Sequence, residues 1–276
     1  MGQKWPDCDS AARQYLESFT RLLQAALGAN LVGVYLHGSL AMGSYYPPKS
    51  DMDVLAVVKT SLTPARAAAL LRDIAMYSDT RPTVGDIEFS LITAAAAKAV
   101  PNPMPYELHY SSSWHDRILR NEVSFDVPQY DSDLFAHLLC LQQRGVCLYG
   151  EPVESAIGEA AWADFLFAVL DDLDWVLGDE NILESPYYCI FNACRVLQLL
   201  ETGVREVFSK EEGALWGLEN LPAMHAPVIR QALEVYRSSE TITEEERRRG
   251  GVAWDGAALL AFRDYARARR KALARG

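Results

Sequence analysis

The 276-residue chain has no stretch approaching the roughly 18 to 20 consecutive apolar residues that a membrane-spanning helix needs, although half its residues are hydrophobic. Its opening, MGQKWPDCDS, lacks the basic and then apolar order of a signal peptide, so a cytoplasmic location without a membrane partner is expected. Cysteine is scarce and poorly spaced: Cys8, Cys140, Cys147, Cys189 and Cys194 form no CxxC pair. An odd set of this kind suits reduced core thiols better than a disulfide framework or a zinc site. The five histidines show no HxxxH spacing either, which leaves His37 as a packing or loop-fixing residue rather than a metal ligand. Positive charge is in deficit, with 26 Lys and Arg against 37 Asp and Glu, a formal net charge of −11. Such a surface repels nucleic acid and acidic membranes and attracts a cationic partner. There is no internal repeat, and the only biased tracts are Ala94 to Ala97 and the Glu/Arg run from Glu244 to Arg249, a solvated face.

What is present is enough apolar material for one large or two modest domains. Apolar spacing (Leu16, Phe19, Leu22, Leu23, Ala26) predicts a helix from Asp9 to Leu27 stopped by Gly28. Leu31 to Leu36, Met52 to Val58 and Asp86 to Ile92 read as strands, and Val146 to Tyr149 as a short one. Helices are predicted over Thr63 to Met76 and Ser132 to Arg144. Beyond Glu151-Pro152 the pattern turns wholly helical, with helices over 159–177, 187–201, 210–219, 227–236 and 253–274. The expected architecture is an α/β (α+β) domain with a mixed sheet over residues 1–152, followed by an all-α helical bundle over residues 153–276.

The segment richest in chemistry is VYLHGSLAMGSYYPPKSDMDVLAVV, residues 34–58. Gly38 lets the backbone approach a phosphate closely, and Ser39 offers an amide and a hydroxyl at the start of a short helix. Asp51 and Asp53, two apart on a strand, leave the same face and can converge on one hard cation, for which magnesium is the natural occupant. A third carboxylate is needed to activate an attacking hydroxyl, and Glu88 lies on a strand whose neighbours Ile87 and Phe89 point to the core. Asp86 shares the period and competes with it. A lone Gly-Ser is usually a turn and a lone Asp-x-Asp a capping pair, but together on two strands they have few bland explanations.

GSLAMGSYYPPKSDMDV is similar to the signature of the DNA polymerase β-like nucleotidyltransferase superfamily. The order of elements, with the helical segments YYCIFNACRVLQLLETG, SKEEGALWGLENLP and APVIRQALEVY, resembles the streptomycin/spectinomycin (aminoglycoside) adenylyltransferase family over roughly residues 30 to 237. That resemblance implies transfer of AMP from ATP to a hydroxyl of an aminoglycoside or aminocyclitol antibiotic by a monomer, with the helical domain completing the ATP and substrate cleft. It assigns Asp51 and Asp53 to magnesium, Glu88 to the catalytic base, and Ser39, Ser50, Asp133, Lys210 and Tyr236 to the nucleotide. Trp114 matches an antibiotic-facing tryptophan, and Trp175 with Asp179 or Glu180 a Trp-plus-acid contact across an alignment gap.

Residue type alone reads some of these differently: Trp175 as a core aromatic and Lys210 as a surface lysine. Arg195 could serve the nucleotide or a buried carboxylate. The acids from Asp171 to Glu184 form a patch suited to ammonium or guanidinium groups, or a solvated face. An alternative acceptor is a protein or a tRNA end, as in minimal nucleotidyltransferases, although the acidic charge argues against RNA. A non-catalytic nucleotide-binding module is disfavoured because both aspartates and Glu88 are present.

Overall fold

The computed structural model describes residues 2–178, 180–240 and 242–273. They form two compact units, Gln3–Phe165 and a second made of Leu166–Gly276 with the first two residues. The border expected at residues 152/153 lies before that division, which falls inside the helix Trp162–Val176.

The first unit contains α1 (Ser10–Leu27), β1 (Leu31–His37), α2 (Gly38–Met42), β2 (Met52–Val58), α3 (Pro64–Ser78), β3 (Ile87–Thr93), α4 (Ala94–Ala99), β4 (Met104–Tyr106), β5 (Leu108–Tyr110), α5 (His115–Leu119), β6 (Gln129–Asp131), α6 (Asp133–Arg144), β7 (Val146–Gly150) and α7 (Val153–Ala156). Local chemistry sets the ends of these elements. Asp9 caps α1 by accepting from the Ala12 N–H at 2.8 Å, and Gly28 ends it at φ +53°. Thr63 caps α3 with Pro64 at its first position.

Five strands form one sheet in the order β5-β3-β2-β1-β7, in which β2 and β3 run parallel and every other pair antiparallel. It is the mixed sheet expected. One face carries Val34, Leu36, Met52, Val54, Ala56, Ile87, Phe89 and Leu91 into a core with Leu16, Phe19 and Leu23 of α1 and Leu70, Leu71 and Ile74 of α3. Phe19 meets Phe89 edge-on at 5.3 Å. The pair β4 and β6 makes a separate two-stranded sheet. These three-residue strands, and the helix formed by the alanine tract, were not foreseen.

α8 (Trp162–Val176) leads into the second unit, which continues with α9 (Asn181–Glu184), α10 (Pro186–Thr202), α11 (Lys210–Asn220), α12 (Ala226–Arg237), α13 (Glu244–Arg247) and α14 (Gly256–Leu273). It is helical throughout, as expected. α10 is its axis and packs on α9, α11, α12 and α14. Ile190, Phe191, Ala193, Cys194 and Leu197 are fully buried there. Gly213 and Gly217 bring α11 close to α10, because a Cβ at Gly213 would stand 2.7 Å from the Arg195 backbone and one at Gly217 2.9 Å from Cys194 Sγ. Among the described residues no helix is long and apolar enough to cross a membrane.

Candidate active site

β1 ends in His37 and turns at Gly38, φ +65°, straight into α2. The positive φ favours glycine, and so does space: a Cβ here would fall 1.8 Å from Asp53 Oδ2. The Asp53 carboxylate therefore lies directly against the Gly38 backbone. Asp53 pairs in register with His37 on one side and Glu88 on the other. Both acids are half-buried, and the residues flanking each are buried in the core, so Asp53 and Glu88 project from the opposite face of the sheet.

Asp51 stands one residue before β2. Its Oδ1 accepts from the Asp86 N–H at 2.8 Å, and Ser39 Oγ donates to the Asp51 carbonyl at 3.4 Å. Ser39, Asp51, Asp53 and Glu88 are thus gathered at one end of β1, β2 and β3. Ser50 is buried, its hydroxyl accepting from the Tyr46 N–H at 3.1 Å, and it fixes the loop that delivers Asp51.

The structure separates Glu88 from its competitor. Asp86 is buried, precedes β3, and accepts from the Ile87 N–H at 2.7 Å. Its charge is felt on the core side. Burial first, and Asp86 second, hold the Tyr15 hydroxyl well above the ordinary tyrosine range, while burial pushes Tyr110 up to about 12 with Asp86 adding to the rise. Glu88 instead acts on His109, on the other face.

Two carboxylates beside a glycine turn suit magnesium, which commonly takes one or two carboxylates and completes its shell with phosphate oxygens and water. Among the described residues no three His, Cys, Asp or Glu side chains form a ready-made cage. A cation held by Asp51 and Asp53 would therefore depend on the phosphates. His37 is no ligand of such a set: it is buried and its ring lies 4.9 Å from that of His137. Burial, with His137 adding to it, holds its imidazole neutral well below the usual histidine range.

Asp133 is exposed at the first turn of α6, the helix that packs on β1 and α2. Trp114 is half-buried between β5 and α5, edge-on to His109 at 6.1 Å and covered by the Arg117 guanidinium at 5.1 Å.

In the helical unit, Lys210 opens α11 behind a capping box of Ser209 and Glu212. It is half-buried, with Nζ 4.6 Å from the Tyr188 ring centroid, rather than the plain surface lysine its type suggests. Trp175 is 57% exposed and edge-on to the same Tyr188 ring at 6.4 Å, so its reading as a core aromatic is corrected. Tyr188 had not been singled out; its place beside both is visible only in three dimensions. Tyr236 is buried and meets Phe191 edge-on at 5.1 Å. Arg195 donates to Asn192 Oδ1 at 2.6 Å. Within the acidic patch Asp174 pairs with Arg270, and Asp179 lies outside the described residues.

Known proteins resemble the chain over most of its length. Residues 157–253 match the sequence model of the family described as aminoglycoside adenylyltransferase, C-terminal domain. The chain is thus similar to aminoglycoside adenylyltransferases. It is 26% identical over 220 residues to a spectinomycin 9-adenylyltransferase of Staphylococcus aureus, covering 79% of this chain and 82% of that protein. It is 24% identical over 236 residues to an aminoglycoside (3'')(9) adenylyltransferase of Klebsiella pneumoniae, covering 82% and 85%. Its fold is that of the spectinomycin adenyltransferase AAD(9) of Enterococcus faecalis, crystallised with ATP and spectinomycin, with a TM-score of 0.76 at 21% identity over 94% of this chain and 99% of that one. Most of the matched residues 157–253 lie in the helical unit built around α10.

Proposed function

We propose that the chain transfers AMP from ATP to a hydroxyl of a small cationic aminocyclitol or aminoglycoside of the spectinomycin or streptomycin type. The observation that carries this reading is the register of Asp53 beside Glu88 on parallel neighbouring strands, with the Gly38 turn against Asp53. The names of the relatives support it.

In this reading Ser39 serves the triphosphate of ATP, and Ser50, Asp133, Lys210 and Tyr236 are assigned to the nucleotide. Asp51 and Asp53 hold magnesium, which when bound neutralises phosphate charge. Glu88 takes the proton of the acceptor hydroxyl. The acceptor oxygen forms a bond to the α-phosphorus as the bond to the bridging oxygen breaks, and pyrophosphate leaves with the electron pair. Rate comes chiefly from alignment and from charges placed in advance. Trp114, Trp175 and Asp179 are assigned to the acceptor: an indole gives a sugar ring an apolar platform, and a carboxylate suits an ammonium group. The excess of acid over base in the chain favours a cationic acceptor over RNA.

Incubation with ATP, magnesium and a panel of aminocyclitols and aminoglycosides, read by mass spectrometry, tests the proposal. A product heavier by one AMP on at least one antibiotic is the expected result. No adduct on any member, with AMP found instead on a protein or a tRNA end, would replace it.

A further inference from the structure

The sheet face that carries Asp53 and Glu88 extends to the edge strand β5. There the alternation Leu108-His109-Tyr110 sends Leu108 and Tyr110 into the core and leaves His109 on the face of Glu88. His109 stands in register with Ser90, and Ser90 Oγ lies 3.1 Å from His109 Nδ1. Ser90 is the next residue after Glu88 on that face. The imidazole also meets two aromatic rings edge-on, Tyr106 and Trp114, each at 6.1 Å. One side chain therefore touches both the strand that carries the base and the indole assigned to the acceptor.

We propose that His109 is a positioning residue that holds the Glu88 strand and the Trp114 indole in fixed relation, so that an acceptor lying on Trp114 presents its hydroxyl to Glu88. This rests on the functional reading above and deepens it. The charged and titratable groups facing His109 are Glu88 from β3, Asp131 from β6 and His137 from α6. Burial lowers its pKa, the two carboxylates oppose that, and His137 adds to it, which leaves the half-buried imidazole neutral near pH 7. A neutral imidazole has one donor and one acceptor nitrogen, so it can bond the Ser90 hydroxyl while its ring packs between two aromatics.

Two replacements divide the role. Phenylalanine keeps the aromatic edges and loses the bond to Ser90; glutamine keeps a polar partner for Ser90 and loses the ring. With AMP transfer to the best acceptor of the panel as the assay, His109→Phe is expected to lower kcat about 10- to 100-fold while leaving KM for ATP within about twofold, as a small misplacement of reacting groups does. His109→Gln should recover most of kcat and raise KM for the acceptor. Ser90→Ala removes the hydroxyl alone and should reproduce the kcat loss of His109→Phe, so it decides the matter if that variant does not fold. Thermal melts within about 3 °C of the parent would show that the fold survives, since a change of about 1 kcal/mol moves a domain of this size by only a few degrees. Wild-type kcat in His109→Phe or Ser90→Ala, or a rise in KM for ATP that matches the fall in kcat, overturns the proposal. A parent enzyme that modifies no antibiotic removes the underlying reading instead, whereas an active parent with indifferent variants removes only the role of His109.

Discussion

The two faces of the five-stranded sheet are built from the same strands and differ in one respect. On the face toward α1 and α3 the strands pack apolar side chains into the core, from Val34 and Leu36 through Met52, Val54 and Ala56 to Ile87, Phe89 and Leu91. On the other face the same strands carry His37, Asp53 and Glu88 at one end, Leu55 level with Ser90 and His109 next, and apolar Val57 and Ile92 beyond. Stability and chemistry are thus separated by a single residue step along each strand. The apolar face can hold the strands rigid while the polar end arranges carboxylates within reach of each other, as a precise site requires.

Substitutions on the two faces should therefore fail in different ways. The largest effect is expected from Phe89→Ala on the apolar face: Phe89 is fully buried against Phe19, and its loss should cost about 3 to 5 kcal/mol of stability, read by denaturant unfolding. Activity per folded molecule should change much less. Gly38→Ala reverses the pattern. The added Cβ cannot coexist with the Asp53 carboxylate where it stands, so AMP transfer should fall about 100-fold through misplacement of that carboxylate, with a smaller loss of stability. An active Gly38→Ala variant would show that Asp53 need not lie against the turn.

The smallest effect concerns His37. Its folded pKa is depressed by burial, so below the ordinary value of 6.5 the unfolded chain binds a proton that the folded chain refuses. Its neutral form thus supports the fold fully above about pH 6.5, and that support is lost as pH falls toward the depressed folded pKa. His37→Phe, which keeps a ring beside His137, should flatten the decline of Tm between about pH 6.5 and 5. An unchanged slope would assign the decline to other groups.

Much of this arrangement is legible in the residues, and the exceptions have physical reasons. The alternation of Ile87-Glu88-Phe89 identifies the face of Glu88, but the same period admits Asp86. What separates them is that β3 begins at Ile87, leaving Asp86 before the strand and buried. Asp51 likewise stands just outside β2, where strand periodicity no longer governs its side chain. Three-residue strands such as β5 are too short to show a period, which hid His109. Trp175 could have been placed correctly: Leu173, Val176 and Leu177 are buried, and helical spacing then turns residue 175 outward. Lys210 beside Tyr188 joins α11 to α10, a contact that no local pattern contains.

The central claim, that Glu88 rather than Asp86 takes the proton of the acceptor hydroxyl, is tested most directly by single-turnover AMP transfer in Glu88→Gln with ATP binding measured on the same sample. The account predicts ATP affinity within about twofold of the parent and a transfer rate lower by about 100- to 10,000-fold, the usual contribution of a positioned general base. A parental rate in Glu88→Gln, above all with Asp86→Asn inactive, would contradict it.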